Sequence, residues 1–353
     1  MLVLQDPGIF TYKTLEVTLI KAPLRKTRLP SCFVCMDSAF SWRYQIVDLV
    51  ERGYRVIAPD LLGFGGTSKP TGLEAYAKAS MCKSIVEILD HEGVVGKITI
   101  VSHDWGSILA ARFLSYHPEK VKFWATLCVP PTAPAQLGQG VDYVELIRKH
   151  IPQFGYQIYF MSEESNEEMD QYCQTVMLLL YFHFERGLET SIEERLLKYK
   201  DESIVFEGVL QKQLKEVADE LESVTIEDPE ISYVVSEIKK SGLSPALNWY
   251  RARTLDERDE EAALLPVAFS SDIRCLFMGA PNDPPLPPGM FTEDSKRKMF
   301  PSANVECINI EGGNHFFMEA PSHRSQVTKV LGDWIDTQEK LLAATASTPN
   351  LEN

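Results

Sequence analysis

Residues 97–121, KITIVSHDWGSILAARFLSYHPEKV, change hydrophobic period with no linker between. The first half is the apolar, β-branched run of a buried strand. The second half has the apolar spacing of an amphipathic helix and stops near Pro118. A strand delivered straight into a helix is the building unit of a parallel sheet, because parallel neighbours need a crossover between them. The same succession repeats on either side. SWRYQIVDLVERG (Ser41–Gly53) reads as a helix ended by glycine, and Arg55–Ala58 as a short strand before the glycine-rich loop of APDLLGFGGTS. MCKSIVEILDHEGV returns to helical spacing with Ile85, Ile88 and Leu89 on one face, and KFWATLCVPP is a strand stopped by its prolines. The chain therefore predicts an α/β protein with a mostly parallel sheet and helices on both faces.

From about Pro131 to Leu247 the alternation ceases. That region is helical in pattern and rich in Glu, Lys and aromatics. IRCLFMGA and VECINIEGGNH then read as two more strands, and HRSQVTKVLGDWIDTQEKLL as a closing helix. The expected organisation is a core at 1–130, a helical insertion at 131–247, the rest of the core at 248–344 and a frayed tail at 345–353. The first thirty or so residues are irregular in pattern, with short strands expected around Leu15–Ile20. PLRKTRLPSCF, where a first core strand belongs, is a poor strand by its charges and proline.

Composition narrows the partners. The net charge of −15 argues against nucleic acid or an anionic membrane surface, both of which need clustered cations. The longest apolar run, Thr175–Phe182, falls well short of the ~20 residues of a membrane span. MLVLQDPGIF has neither the basic flank nor the apolar segment of a signal peptide. Seven cysteines, an odd number without repeating spacing, predict reduced thiols in the cytoplasm. Cys32 and Cys35 form a C-x-x-C, but no second pair or nearby histidine completes a zinc site, so no metal or cofactor is expected.

Chemistry concentrates at VSHDWG. A strand, a tight turn and a helix, with small residues at Ser102 and Gly106, form the setting of a nucleophile elbow, here built around Asp104. The rival reading is an aspartate capping the following helix. Downstream, Asp283 follows an apolar strand in FMGAPNDPPLPP, and His315 sits in the loop after the next strand in IEGGNHFFMEAP. Nucleophile, acid, histidine is the chain order of the α/β-hydrolase fold. A serine attacking saturated carbon would leave an ether that this machinery could not hydrolyse. A carboxylate leaves an ester whose carbonyl belongs to the protein, and histidine-activated water can open it. Asp104 therefore points to an electrophilic sp³ carbon, in an epoxide or an alkyl halide.

SWRYQI, APDLLGFGGTSKP, SHDWG, FGYQIYF, LNWYR and GGNHFFMEAP occur in one order across Phe33–Trp334. Together they resemble the soluble and microbial epoxide hydrolases of the α/β-hydrolase fold, in which the helical insertion is a cap. The resemblance implies that Tyr156 and Tyr250 reach from the cap to the epoxide oxygen. A phenol of pKa ~10 stays protonated at neutral pH and can donate to the alkoxide that ring opening creates. It implies attack by Asp104, water activation by His315 oriented by Asp283, and an oxyanion held by backbone N–H groups, one from Trp105. Trp42, Phe154, Trp249 and Phe316, with Trp105, are the aromatics expected to line an apolar pocket.

The family's His-Gly-aromatic-Pro loop, which supplies the second oxyanion N–H, has no counterpart here. Phe33, Val34, Cys35 and Met36 stand in its place, with Cys35 at the amide donor. A working variant loop, an impaired enzyme and an altered translated segment each account for this. The leading expectation is an epoxide hydrolase acting on a small apolar epoxide, in biosynthesis of a small-molecule metabolite, as a monomer or homodimer. The alternatives are a catalytically impaired ligand-binding relative, an epoxide-opening cyclase and a haloalkane dehalogenase.

Overall fold

The structure, a computed structural model, describes residues 30–35, 38–134, 141–286 and 289–346. The strands expected around Leu15–Ile20, Met36 and the last residues of the expected tail lie outside the described residues. The core alternates as its sequence pattern predicts: β1 (Ser31–Cys35), α1 (Arg43–Glu51), β2 (Arg55–Ile57), α2 (Lys78–His91), β3 (Ile98–His103), α3 (Trp105–Tyr116) and β4 (Val121–Leu127). Among the described residues, nine α-helices fill the interval before the next strand. They are α4 (Tyr143–His150), α5 (Tyr156–Met161), α6 (Ser165–Gln171), α7 (Cys173–His183), α8 (Thr190–Leu196), α9 (Val209–Leu221), α10 (Pro229–Ser241), α11 (Ser244–Arg251) and α12 (Arg253–Ala262). β5 (Arg274–Gly279), α13 (Glu293–Met299), β6 (Val305–Asn309) and α14 (Arg324–Ala346) complete the described chain.

The described strands form one sheet in the order β2-β1-β3-β4-β5-β6, and every pairing among them is parallel. β3 and β4 occupy the middle, and every residue of β3 is buried. α2 and α3 cover one face through Met81, Ile85, Leu109 and Phe113, while α1 and α14 cover the other through Ile46, Leu49, Leu331 and Ile335. Gly53 follows α1 with φ 94°, the left-handed turn that ends a helix without a Cβ penalty. Two boundaries differ from expectation. β1 begins at Ser31, so SCFVC enters the sheet. The last helix continues through Ala346, past the fraying expected from residue 345.

The inserted helices carry their own apolar cluster, which includes Phe160, Met177, Leu214 and Leu247; two residues later, Trp249 belongs to the core cluster instead. Polar contacts join the two. Arg43 of α1 pairs with Glu230 of α10 at 2.8 Å and with Glu319 at 2.9 Å, and Arg186, within the insertion, steadies Glu230 at 3.1 Å. The wholly buried Lys78 pairs with Asp256 of α12 at 3.0 Å and donates to the Trp249 carbonyl at 3.1 Å. Breaking such a buried pair typically costs about 3–5 kcal/mol, because one charge is left stranded. These contacts fix α11, and with it Tyr250, over the carboxyl ends of the strands, where ligands of open α/β sheets bind.

Candidate active site

Asp104 is the residue between β3 and α3, with φ 46° and ψ −127°. A non-glycine residue there is strained, and such strain is kept where it aims a side chain. Asp104 makes no side-chain capping hydrogen bond to α3, which removes the rival reading of it as a helix cap. Beneath the turn, the small hydroxyls form a buried ladder: the Trp124 indole donates to Ser102 Oγ at 2.8 Å, Ser107 to Ser102 at 3.2 Å and Thr126 to Ser107 at 2.8 Å. A larger residue at 102 would displace that support.

His315 arrives from the loop after β6. Gly312, at φ 70°, and Gly313, whose added Cβ would lie 2.8 Å from the Ile310 carbonyl, let that loop turn tightly. His315 Nε2 lies 3.7 Å from Asp104 Oδ1, and its Nδ1 lies 3.0 Å from Asp283 Oδ2. Asp283 is almost wholly buried, so its charge acts at low dielectric on the ring it faces. Burial pushes the Asp104 carboxyl above its ordinary value; the His315 ring and the Trp105 backbone N–H pull it back. The three residues expected to act together are therefore brought together, with the Trp105 N–H beside the carboxylate.

Tyr250 of α11 packs edge-on against Trp105, with ring centroids 4.8 Å apart, and Tyr156 of α5 lies 6.4 Å from Tyr250. Burial, then the nearby Asp104 charge, push the Tyr156 phenol up, so it holds its proton; Gln157 Nε2 donates to its oxygen at 3.3 Å. A cavity of about 210 Å³ opens above Asp104 and Trp105, lined by Tyr250, Phe316, Phe160, Met177 and Tyr181 among others. Trp42, Phe154, Trp249 and Tyr156 are not among its lining residues. Trp42 and Trp249 are core side chains, each 1% exposed, and the Trp249 indole donates to the Leu62 carbonyl at 2.9 Å. Phe154 sits partly exposed in a short 3₁₀ turn before α5. Aromatic type alone does not separate pocket from core, which is why the expectations for Trp42, Phe154 and Trp249 miss.

Cys35 ends β1 in register with Ser102, two residues before Asp104, so the loop expected to complete the oxyanion site starts beside the elbow. On its far side, Asp60 accepts from Ala39 N at 2.9 Å and Gly66 N at 2.9 Å, joining that loop to the glycine-rich one. Gly65, at φ 47°, is obligatory there, since a Cβ would lie 2.4 Å from the Asp60 carboxylate. Sequence reasoning quoted this Asp inside APDLLGFGGTSKP without a role for it. Two further neighbours it missed are His103 and Cys128. His103 Nε2 lies 2.8 Å from the His315 carbonyl oxygen, and burial holds the ring neutral. Cys128 Sγ lies 2.8 Å from Asp283 Oδ2. Ligand atoms of His103, Cys128 and His315 cluster within 4.8 Å, a metal-like grouping. Their hydrogen bonds to Asp283 and to the His315 carbonyl already engage most of those atoms, so the trio fits a hydrogen-bonded histidine site better than a metal centre.

A family model described as alpha/beta hydrolase fold matches residues 35–154. A bifunctional epoxide hydrolase 2 of Rattus norvegicus is 33% identical over 221 residues, which are 62% of this chain and 37% of that protein. The chain thus spans little more than a third of that relative's length. An epoxide hydrolase of Neurospora crassa is 26% identical over 308 residues, covering 85% of this chain and 83% of its own. The crystal structure of an epoxide hydrolase from Vigna radiata superposes with a TM-score of 0.67 at 22% identity, over 93% of this chain and 98% of that one; at this identity the likeness speaks to the fold.

Proposed function

We propose that the chain belongs to the epoxide hydrolases of the α/β-hydrolase fold, which it resembles, and that it converts a neutral, apolar epoxide and water to a vicinal diol through an ester on Asp104. The observation that carries this reading is the strained Asp104 turn with His315 Nε2 at 3.7 Å and Asp283 behind the ring at 3.0 Å. An Asp104 oxygen attacks a ring carbon, and the breaking C–O bond leaves its electron pair on the ring oxygen. Tyr156 and Tyr250 donate O–H to that oxygen, and one proton transfers to it. His315 Nε2 then takes a proton from water while the new hydroxide adds to the ester carbonyl. The Trp105 N–H faces the oxyanion. Collapse expels the diol oxygen, which takes the proton from the imidazolium; the carboxylic acid left on Asp104 loses its proton and the tyrosinate regains one, which restores the resting state. Tyr250 in the cavity lining and Tyr156 within reach of the Asp104 charge favour an epoxide over a halide, because a halide leaves as a stable anion and needs no proton.

Residues 131–247 serve as the cap in this reading, with Tyr156 and, just beyond it, Tyr250 as its working groups. The substrate class follows from the cavity lining, which is largely apolar and, among the described residues, includes Asp60, Glu237 and Glu319 but no Lys, Arg or His. No described helix is long and apolar enough to cross a membrane. The buried free thiols Cys32, Cys82, Cys128, Cys173 and Cys275 suit a reducing cytoplasm. A single turnover of styrene oxide in ¹⁸O-water tests the mechanism. The label should enter the Asp104 carboxylate, leaving the first diol unlabelled; label in the first diol would mean direct attack by water and end the ester reading.

A further inference from the structure

We propose that Cys128 is a positioning residue for ester hydrolysis: its thiol donates to Asp283 and sets how strongly that carboxylate holds the His315 imidazole. The inference rests on the epoxide hydrolase reading above. Cys128 is the first residue past β4, and its backbone takes φ 68°, a left-handed conformation that non-glycine residues seldom adopt. Its amide donates to the Met278 carbonyl at 3.0 Å, pinning it beside the end of β5. In that conformation Sγ is aimed at Asp283 Oδ2, 2.8 Å away, with the His315 and Asn314 carbonyl oxygens more distant at 3.6 and 3.9 Å. Burial and the neighbouring carboxylate push the thiol far above its ordinary range, so it keeps its proton and acts as a donor.

Asp283 is therefore shared. Oδ2 takes the thiol and the His315 Nδ1–H together, while Oδ1 has no hydrogen-bond partner among the described residues. An acceptor divided between two donors holds each less tightly. The other titratable groups facing the pair are His103 at the end of β3, Asp104 at the turn, and Tyr156 of α5. His103 is neutral and Tyr156 protonated, so neither compensates for a lost thiol. Without it, Asp283 would bind the imidazolium more strongly and His315 would become a base only at higher pH. Ring opening, which does not use His315 as a base, would keep its rate.

The test is transient kinetics on styrene oxide, resolving ester formation from ester hydrolysis across pH, with Cys128→Ala, Cys128→Gly and Cys128→Ser. Glycine lacks the donor and relaxes at φ 68°, so it remains informative if alanine folds poorly. The acid limb of hydrolysis should move up by roughly half a pH unit in Ala and Gly, the size expected for one modest hydrogen bond. Ser should restore it, and the ester burst should be unchanged in all three. A wild-type limb in both Ala and Gly, a downward shift, or parallel loss of both steps would overturn the role. An ester burst missing from the unsubstituted protein would instead sink the epoxide hydrolase reading itself.

Discussion

Replacing Asp283 with Asn should separate the two halves of the reaction. The substitution keeps the shape of the side chain and removes the charge that faces His315 Nδ1 at 3.0 Å. That charge matters most when the ring becomes an imidazolium, in the transition state for water attack. A hydrogen bond to a charged group contributes about 1.5–3 kcal/mol, or roughly 10–10²-fold in rate. The bare Coulomb attraction at 3.0 Å, with an effective dielectric constant of about 20, is larger, about 5 kcal/mol or nearly 10⁴-fold. Ester hydrolysis should thus slow by roughly 10²–10⁴-fold. Ester formation needs the Asp104 carboxylate and the phenols but no base at His315, so it should persist. Rapid quenching with intact-mass detection would then show the substrate-mass adduct approaching one per chain and decaying slowly. A variant that formed ester and diol at unchanged rates, or lost both steps equally, would refute Asp283 as the partner of the base.

Three other outcomes follow from the same geometry. Tyr156→Phe and Tyr250→Phe should each slow ester formation by roughly 10–10²-fold, with the double variant far slower, since each phenol can partly cover for the other; single-turnover burst rates measure this. Asp104 must be ionised to attack, and burial raises its carboxyl above the ordinary 3.8. Ester formation should therefore fail, as pH falls, through a midpoint above 3.8, and a midpoint at or below that value would contradict the buried setting. Finally, an epoxide bearing a free carboxylate should show kcat/KM at least about tenfold below its methyl ester, because it meets Asp60 and Glu237 with no Lys, Arg or His among the described lining residues; parity between the two would refute the assigned substrate class.

Much of this site is legible in the sequence because its signals are local. The switch of hydrophobic period at Ser102–Gly106 marks the elbow, and the glycines before His315 mark a tight loop after a strand. What was hidden depends on neighbours distant in sequence. Nothing around Cys128 distinguishes it from an ordinary core thiol until β5 brings Asp283 to it. Asp60 stands in a recognisable motif, yet its work, tying Ala39 to Gly66, is visible only once both loops are in place. Trp42 and Trp249 misled for the converse reason: a tryptophan suits a core as well as a pocket, and only packing decides. β1 was obscured because SCFVC follows directly on a charged, proline-bounded stretch of sequence.

The parallel pairing of β4 with β5 has a consequence for how the protein reaches its working state. These strands flank the inserted helices, so Cys128 and Asp283 meet across 155 residues of chain. Contacts of such sequence separation form late, since loop closure must precede them. The helices between can gather on their own apolar cluster before the sheet is complete. Helical signal should then recover early on refolding, while the ability to regenerate free Asp104 from its ester should return last, making turnover a more stringent gauge of native assembly than any spectroscopic measure of helix content.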